Sequence, residues 1–152
     1  MKLWKWLCLL LFVFLLTACG DKAYKPREIN PETDVCHICN MSVTSIDYAA
    51  QVVLKNNDIV VFDDLGCLME YIKQNGEQEI GAAYIRDMNS SNWLDIKDAS
   101  YVYSADYWTP MNYGVLAFAS EQEAKEYMKE NPGKIVPYEN LLTFNWGVHE
   151  HE

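Results

Sequence analysis

The chain has 152 residues, half of them apolar and 22% charged, with 7 Gly and 5 Pro; this suits one compact domain with a real core and excludes a disordered, collagen-like or low-complexity protein. Acidic residues outnumber basic ones 22 to 12, a net charge of −10, which argues against nucleic acid, whose phosphates need Lys and Arg. Five cysteines are many for an intracellular domain and too few for a disulfide scaffold.

Met1 to Lys5 carries two lysines, Leu7 to Leu16 is an almost continuous apolar run, and Leu16-Thr17-Ala18-Cys19-Gly20 follows. A basic start, a short apolar stretch and small residues before a cut describe an export signal. The run is shorter than the roughly 20 residues that a spanning helix needs. Leu-Thr-Ala-Cys resembles the bacterial lipobox, in which Cys19 becomes the lipid-bearing first residue. Cleavage before Cys19 removes Lys2 and Lys5, leaves ten basic residues against 22 acidic ones, and takes the charge to −12. It also removes Cys8, and acylation of Cys19 leaves Cys36, Cys39 and Cys67 as the thiols. The expected location is the outer face of the cell membrane, held by acyl chains such as palmitate whose binding scales with buried CH₂ groups. Three thiols in such a compartment cannot all pair internally.

Asp21 to Glu32 is polar, contains Pro26 and Pro31, and lacks an apolar period. It reads as a tether. Tyr48 to Leu54 is rich in β-formers. Lys55-Asn56-Asn57-Asp58 is a turn, and Ile59 to Phe62 a second strand, so the pair reads as a β-hairpin. Asp63 or Asp64 then offers a helix cap, Leu65, Leu68, Met69 and Ile72 recur at helical spacing, and Asn75-Gly76 stops the helix. Ala82 to Arg86, Ser100 to Tyr103 and Gly114 to Phe118 read as further strands. Ser120 caps another helix, Glu123 completes a capping box, and Asn131-Pro132-Gly133 ends it.

The two helix entries align at an offset of 56: Phe62, Glu70, Tyr71 and Lys73 match Phe118, Glu126, Tyr127 and Lys129. A hairpin with one helix cannot bury both its apolar faces alone, whereas two such units packed together can. The expected fold is α+β, with two similar strand-strand-helix units in one small domain. The expected division is a signal over 1–18, an anchor and tether over 19–33, and a domain over 34–152. The domain has halves near 34–78 and 79–135. The tail from Val136 carries Leu141, Leu142, Phe144 and Trp146, which suit packing on the core. It ends in His149-Glu150-His151-Glu152, a solvated end in this reading.

The sharpest chemical cluster is Cys36-His37-Ile38-Cys39-Asn40-Met41. A thioredoxin-type pair needs its first cysteine at a helix N-terminus after a strand; here a proline-bearing polar stretch precedes the motif. A structural zinc site usually has four Cys or His ligands in two spaced pairs. His37 and Cys67 are the candidates to complete one, without a second Cys-x-x-Cys. Covalent haem needs His directly after the second cysteine, where Asn40 stands. A third reading uses Met41. A thioether suits Cu(I), which prefers soft sulfur, and Cys-x-Met on an extended segment puts both sulfurs on one side. Met111 stands on Trp108-Thr109-Pro110-Met111-Asn112-Tyr113-Gly114, where Pro110 stiffens the loop.

Cys67 lies on an amphipathic helix, so burial explains it first and a copper role second. Asp63-Asp64 suits a helix cap before a hard-metal site. Met69, Met88 and Met128 suit packing, and Trp93, Tyr101, Tyr103, Tyr107 and Trp108 suit core and rim. No Ser-His-Asp order, phosphate loop or distinctive carboxylate pair argues for an enzyme.

In order, the lipobox, Cys36-x-x-Cys39-x-Met41, Phe62-Asp63-Asp64 with Cys67, Trp93 with Asp95 and Ala99, and Thr109-Pro110-Met111-x-Tyr113-Gly114 resemble the NosL family. These are accessory copper lipoproteins of nitrous oxide reductase assembly in denitrification. The resemblance covers Asp34 to about Phe118. It implies a Cu(I) chaperone that delivers copper to the reductase, directly or through a membrane maturation complex, on the two-unit fold expected above. Carried over, Cys39 and Met41 hold the metal, Cys36 is a further ligand or reserve thiol, and Met111 closes the site from the second unit. His37 and Cys67 are additional candidates. One departure is Asn40, where the family commonly has Gly; Asn tolerates unusual backbone angles next best. Two other readings stay open beside it: a thiol–disulfide redox lipoprotein, and a zinc-stabilised module that binds an envelope protein.

Overall fold

The computed structural model describes residues 23–143. The expected signal, Cys19, and the tail beyond Thr143 with Phe144, Trp146, His149 and His151 lie outside them. Strands β1 (Ala50–Leu54) and β2 (Ile59–Phe62) form the expected hairpin, with Ala50 opposite Phe62 and Val53 opposite Ile59. Asn57 takes a left-handed φ of 72° in the turn, a conformation open to Asn at low cost. Helix α1 (Leu65–Asn75) follows, capped by Asp64, and Gly76 ends it with a φ of 73°. Leu65, Leu68, Met69 and Ile72 are its buried stripe, as their spacing requires.

Strand β3 (Ile80–Arg86) pairs with the free edge of β1, and β4 (Trp93–Asp95) pairs with β3. The first sheet therefore has the order β2-β1-β3-β4, antiparallel throughout. A second sheet contains β5 (Ser100–Tyr103), β6 (Val115–Phe118) and β7 (Lys134–Val136), in the order β6-β5-β7. Helix α2 (Glu121–Tyr127) joins β6 to β7, and α3 (Tyr138–Thr143) closes the described chain.

The fold is α+β, and its two units are similar. Each runs strand, strand, helix, then a third strand on the far edge of the first. The strand over Ala82 to Arg86, expected to open the second half near 79, instead completes the first unit. The reason is hydrogen bonding: β1 is buried and has two edges, and β2 satisfies only one of them. The offset of 56 also aligns the helix caps, Asp64 and Ser120. The units differ most in their hairpin loops. Four residues join β1 to β2, whereas the Met111 loop spans residues 104–114 between β5 and β6.

One core cluster spans both units, and a smaller one, of Val102, Tyr107, Leu116, Phe118 and Ala124, lies within the second. In the larger, Val52, Phe62, Leu68 and Ile85 of the first unit are buried with Tyr101, Val115, Val136 and Leu141 of the second. The tail packs through Leu141, while Leu142 is 39% exposed; consecutive residues on a short helix face different ways.

The segment expected to be a tether lies on the first sheet from Tyr24 onward. Ile29 is buried, and the fully buried Gln51 side chain accepts from the Arg27 N–H and donates to the Arg27 carbonyl. Tyr84 donates its hydroxyl to the Tyr24 carbonyl. Arg27 grips Asp34 through two hydrogen bonds of 2.6 and 2.7 Å, and Arg86 pairs with Glu28 at 2.6 Å. Composition hid this docking, because side-chain bonds rather than an apolar period hold the segment.

Candidate metal centre

The Cys36–Met41 segment is a closed loop. Val35 and Ser42 form a β-bridge at its base. The Cys36 N–H donates to the Met41 carbonyl (2.8 Å), and the Asn40 N–H donates to the Cys36 carbonyl (3.0 Å). The His37 N–H donates to the Val61 carbonyl (3.1 Å), which fastens the loop to β2. Asn40 has a φ of 60°, the left-handed conformation that Gly or Asn supplies most easily. The loop therefore turns where an extended Cys-x-Met segment was expected. Simple alternation does not place the Met41 side chain, which is 46% exposed. The Met41 backbone nevertheless hydrogen-bonds the Cys39 sulfur.

Cys67 stands in the first turn of α1, held by an N–H donated to Asp64 Oδ1 at 3.2 Å. It meets the burial expectation, at 0% exposed, and it also meets the loop. The sulfurs of Cys36, Cys39 and Cys67 all lie within 4.8 Å of one another, and all three are free thiols. A metal with bonds to sulfur of about 2.3 Å holds three sulfurs about 4 Å apart in a plane. The triad is thus within about 1 Å of coordinating geometry. Cys36 and Cys67 are buried and Cys39 is partly exposed, so access runs past Cys39.

The electrostatics of the triad are graded. The Cys67 thiol hydrogen-bonds the Cys36 sulfur, and this contact, with backbone bonds at Cys39, Asp63 and Ile38, pulls the Cys36 thiol well below its ordinary range. The same contact, then burial and the nearby Asp64 charge, pushes the Cys67 thiol up. Burial pushes Cys39 up. The shared contact thus favours the charged form at Cys36 and the protonated form at Cys67. Burial, followed by the neighbouring Asp64 and Cys36 charges, raises Asp63 to about 6. Burial also raises Asp64.

Met111 comes from the second unit. Thr109 is buried, and its Oγ1 accepts from the Tyr113 and Gly114 N–H groups at 2.9 and 3.3 Å. Gly114 has a φ of 69°, and a Cβ there would meet the Ser104 carbonyl oxygen at 2.2 Å. The Met111 N–H donates to Asp64 Oδ2 at 3.0 Å. Met111 is half-buried against the core cluster that contains Cys36 and Cys67. The ring of Tyr113 lies on Gly66, where a Cβ would come within 1.8 Å of it. The methionine loop thus rests on the first turn of the helix that carries Cys67.

Three placements qualify the sequence reading. His37 lies outside the sulfur group, with an exposed ring edge-on to Tyr71 at 5.5 Å. Cys36 lies on a loop, not at the helix N-terminus that a thioredoxin pair uses. Asp64 is the helix cap, as one of the two expected residues. The bond from Asp64 to Met111 and the seat of Tyr113 on Gly66 had no short-range signal, since 47 residues separate each pair. Trp108 is a rim residue, 61% exposed and edge-on to Tyr48 at 5.2 Å. Tyr101 and Tyr107 are core. A separate cavity of about 220 Å³, lined in part by Ile72, Gly81, Asp95 and Tyr138, includes none of the sulfurs.

Comparison with known proteins points the same way. The chain is 24% identical over 144 residues to the copper-binding lipoprotein NosL of Stutzerimonas stutzeri, covering 86% of this chain and 76% of that protein. Its fold matches the crystal structure of the copper chaperone NosL from Shewanella denitrificans with a TM-score of 0.67. That match is 17% identical and covers 77% of this chain and 95% of the other. The model of the NosL family matches residues 26–143. With that match spanning most of its length, the chain belongs to the NosL family.

Proposed function

We propose that this protein is a lipid-anchored Cu(I) carrier on the outer face of the cell membrane. It delivers copper for the maturation of nitrous oxide reductase, directly or through a membrane maturation complex. The single observation that carries the reading is the convergence of Cys36, Cys39 and Cys67 within 4.8 Å at the seam of the two units. Three converging thiols, with Met41 on the same loop and Met111 on a loop held to Asp64, supply soft sulfur donors, which favour Cu(I) over harder ions. Copper is cargo here, so the site must bind and also release. Two buried sulfurs hold the ion, and the partly exposed Cys39 and Met41 offer a route for a partner's ligands. His37, edge-on to Tyr71, has no part in this ligand set.

Two further features support placement and role. The Leu16-Thr17-Ala18-Cys19 sequence supplies the anchor, and among the described residues no helix is long and apolar enough to cross a membrane. Delivery is tested in a denitrifying host that carries the protein with Cys36→Ser and Cys39→Ser together. The expected result is a reductase that accumulates with less copper, while Cys19→Ala releases the protein from the membrane fraction. A reductase with its full copper content in the double variant contradicts the reading.

A further inference from the structure

The two helix caps differ in a way that capping does not explain. Ser120 caps α2 through one acceptor, Oγ, which takes the Glu123 N–H at 3.2 Å. Asp64, at the equivalent place on α1, takes the Cys67 N–H on Oδ1. Ser and Asp cap a helix about equally well. What Asp64 adds is a second acceptor, and the Met111 N–H of the other unit occupies it at 3.0 Å. Asp64 is 3% exposed, so water does not compete for that oxygen. A single buried carboxylate thus fixes the backbone of a thiol residue and the backbone of a thioether residue to each other.

We infer that Asp64 is a positioning residue that sets the selectivity of the site for Cu(I) over Zn(II), by fixing the backbone of Met111 to the helix turn that carries Cys67, so that its thioether serves the Cys36–Cys39–Cys67 group. The inference rests on the Cu(I) reading above and deepens it. A thioether is a good partner for Cu(I) and a poor one for Zn(II). Fixing Met111 therefore strengthens Cu(I) binding and leaves Zn(II) binding, which needs the thiolates, almost unchanged. Thr109 and Gly114 keep the loop folded, Tyr113 seats it on Gly66, and Asp64 fixes the Met111 backbone within it. Groups that orient ligands in this manner typically matter by about 10–100-fold in metal affinity.

The test compares Asp64→Ser, Met111→Leu and the double variant with the unchanged protein, each titrated with Cu(I) against a chromophoric competitor and separately with Zn(II). Asp64→Ser keeps the helix cap in the form that Ser120 already uses. Asp64→Asn is the second variant: its amide keeps one acceptor and turns a donor toward one of the two N–H groups. The expected result is a loss of Cu(I) affinity of about tenfold or more in Asp64→Ser, with Zn(II) affinity changed by less than about threefold. Met111→Leu shows the same split, and the double variant is no weaker than Met111→Leu alone. Cu(I) and Zn(II) affinities that fall together, additive losses in the double variant, or unchanged Cu(I) affinity in Asp64→Ser each overturn the inference. Met111→Leu with unchanged Cu(I) affinity overturns it too, because the carboxylate then positions nothing. Failure of the underlying Cu(I) reading is distinct: the unchanged protein itself would bind Cu(I) weakly.

Discussion

Asn40 shows how much a single residue can disclose. Its place between Cys39 and Met41, where the family commonly has Gly, marks a backbone angle that most side chains resist, and its φ is 60°. Asn40→Gly is therefore expected to leave stability and Cu(I) affinity nearly unchanged, while Asn40→Val costs about 1–2 kcal/mol. Urea unfolding checks both, since a shift in midpoint at constant slope reads stability alone. Cys67 was less legible. Its burial was readable from helical spacing, but its meeting with Cys36 depends on how a loop and a helix end approach each other. The thiols also carry a pH dependence. Cys39 and Cys67 are pushed up and Cys36 is pulled down, so a metal competes with protons chiefly at the first two. Cu(I) affinity is then expected to rise with pH, by about a hundredfold per unit if both thiols give up protons and tenfold if one does. Competitive titrations between pH 6 and 8 read the slope, and a flat profile removes both thiols from the ligand set.

At the scale of elements, the strongly patterned pieces were visible and the short ones were not. The β1–β2 hairpin, α1 and α2 announce themselves through turn residues, caps and apolar spacing. Strands β4 and β7 have three residues each, too few for alternation to register. Both are recruited by an edge of a longer strand. The tight contact of α1 with the methionine loop was hidden for a different reason: Gly66 looks like a weak helix residue until Tyr113 is seen on top of it. Gly66→Ala improves helix propensity by about 1 kcal/mol and forces the ring aside at a cost of about 1–3 kcal/mol. The expected outcome is a stability loss of no more than about 2 kcal/mol with a clear loss of Cu(I) affinity. Thermal unfolding and Cu(I) titration of the same sample separate the two effects. Full Cu(I) affinity in that variant would detach the Tyr113 loop from the site.

Across the whole molecule, the packing of two similar units explains why the site lies where it does. Each unit alone leaves a helix end and a sheet face uncovered, and the shared core of Val52, Phe62, Tyr101 and Val115 covers them together. The seam then brings the thiols of the first unit beside the long hairpin loop of the second. The sequence disclosed the repeat through four matched positions. It did not disclose that a third strand belongs to each unit, because that strand is placed by edge pairing, not by its own pattern. Nor did it disclose that residues 24–34 dock, since Arg27, Gln51 and Asp34 hold them by polar bonds. The docked segment and the thiol group are the features on which the proposed copper carrier rests.

The most direct test is competition between metals at that seam. The reduced protein, titrated with Cu(I) against a chromophoric competitor and then challenged with Zn(II), should bind one Cu(I) tightly and release bound zinc when copper is added. Tight zinc with weak Cu(I) would contradict a copper carrier and return Met41 and Met111 to ordinary packing.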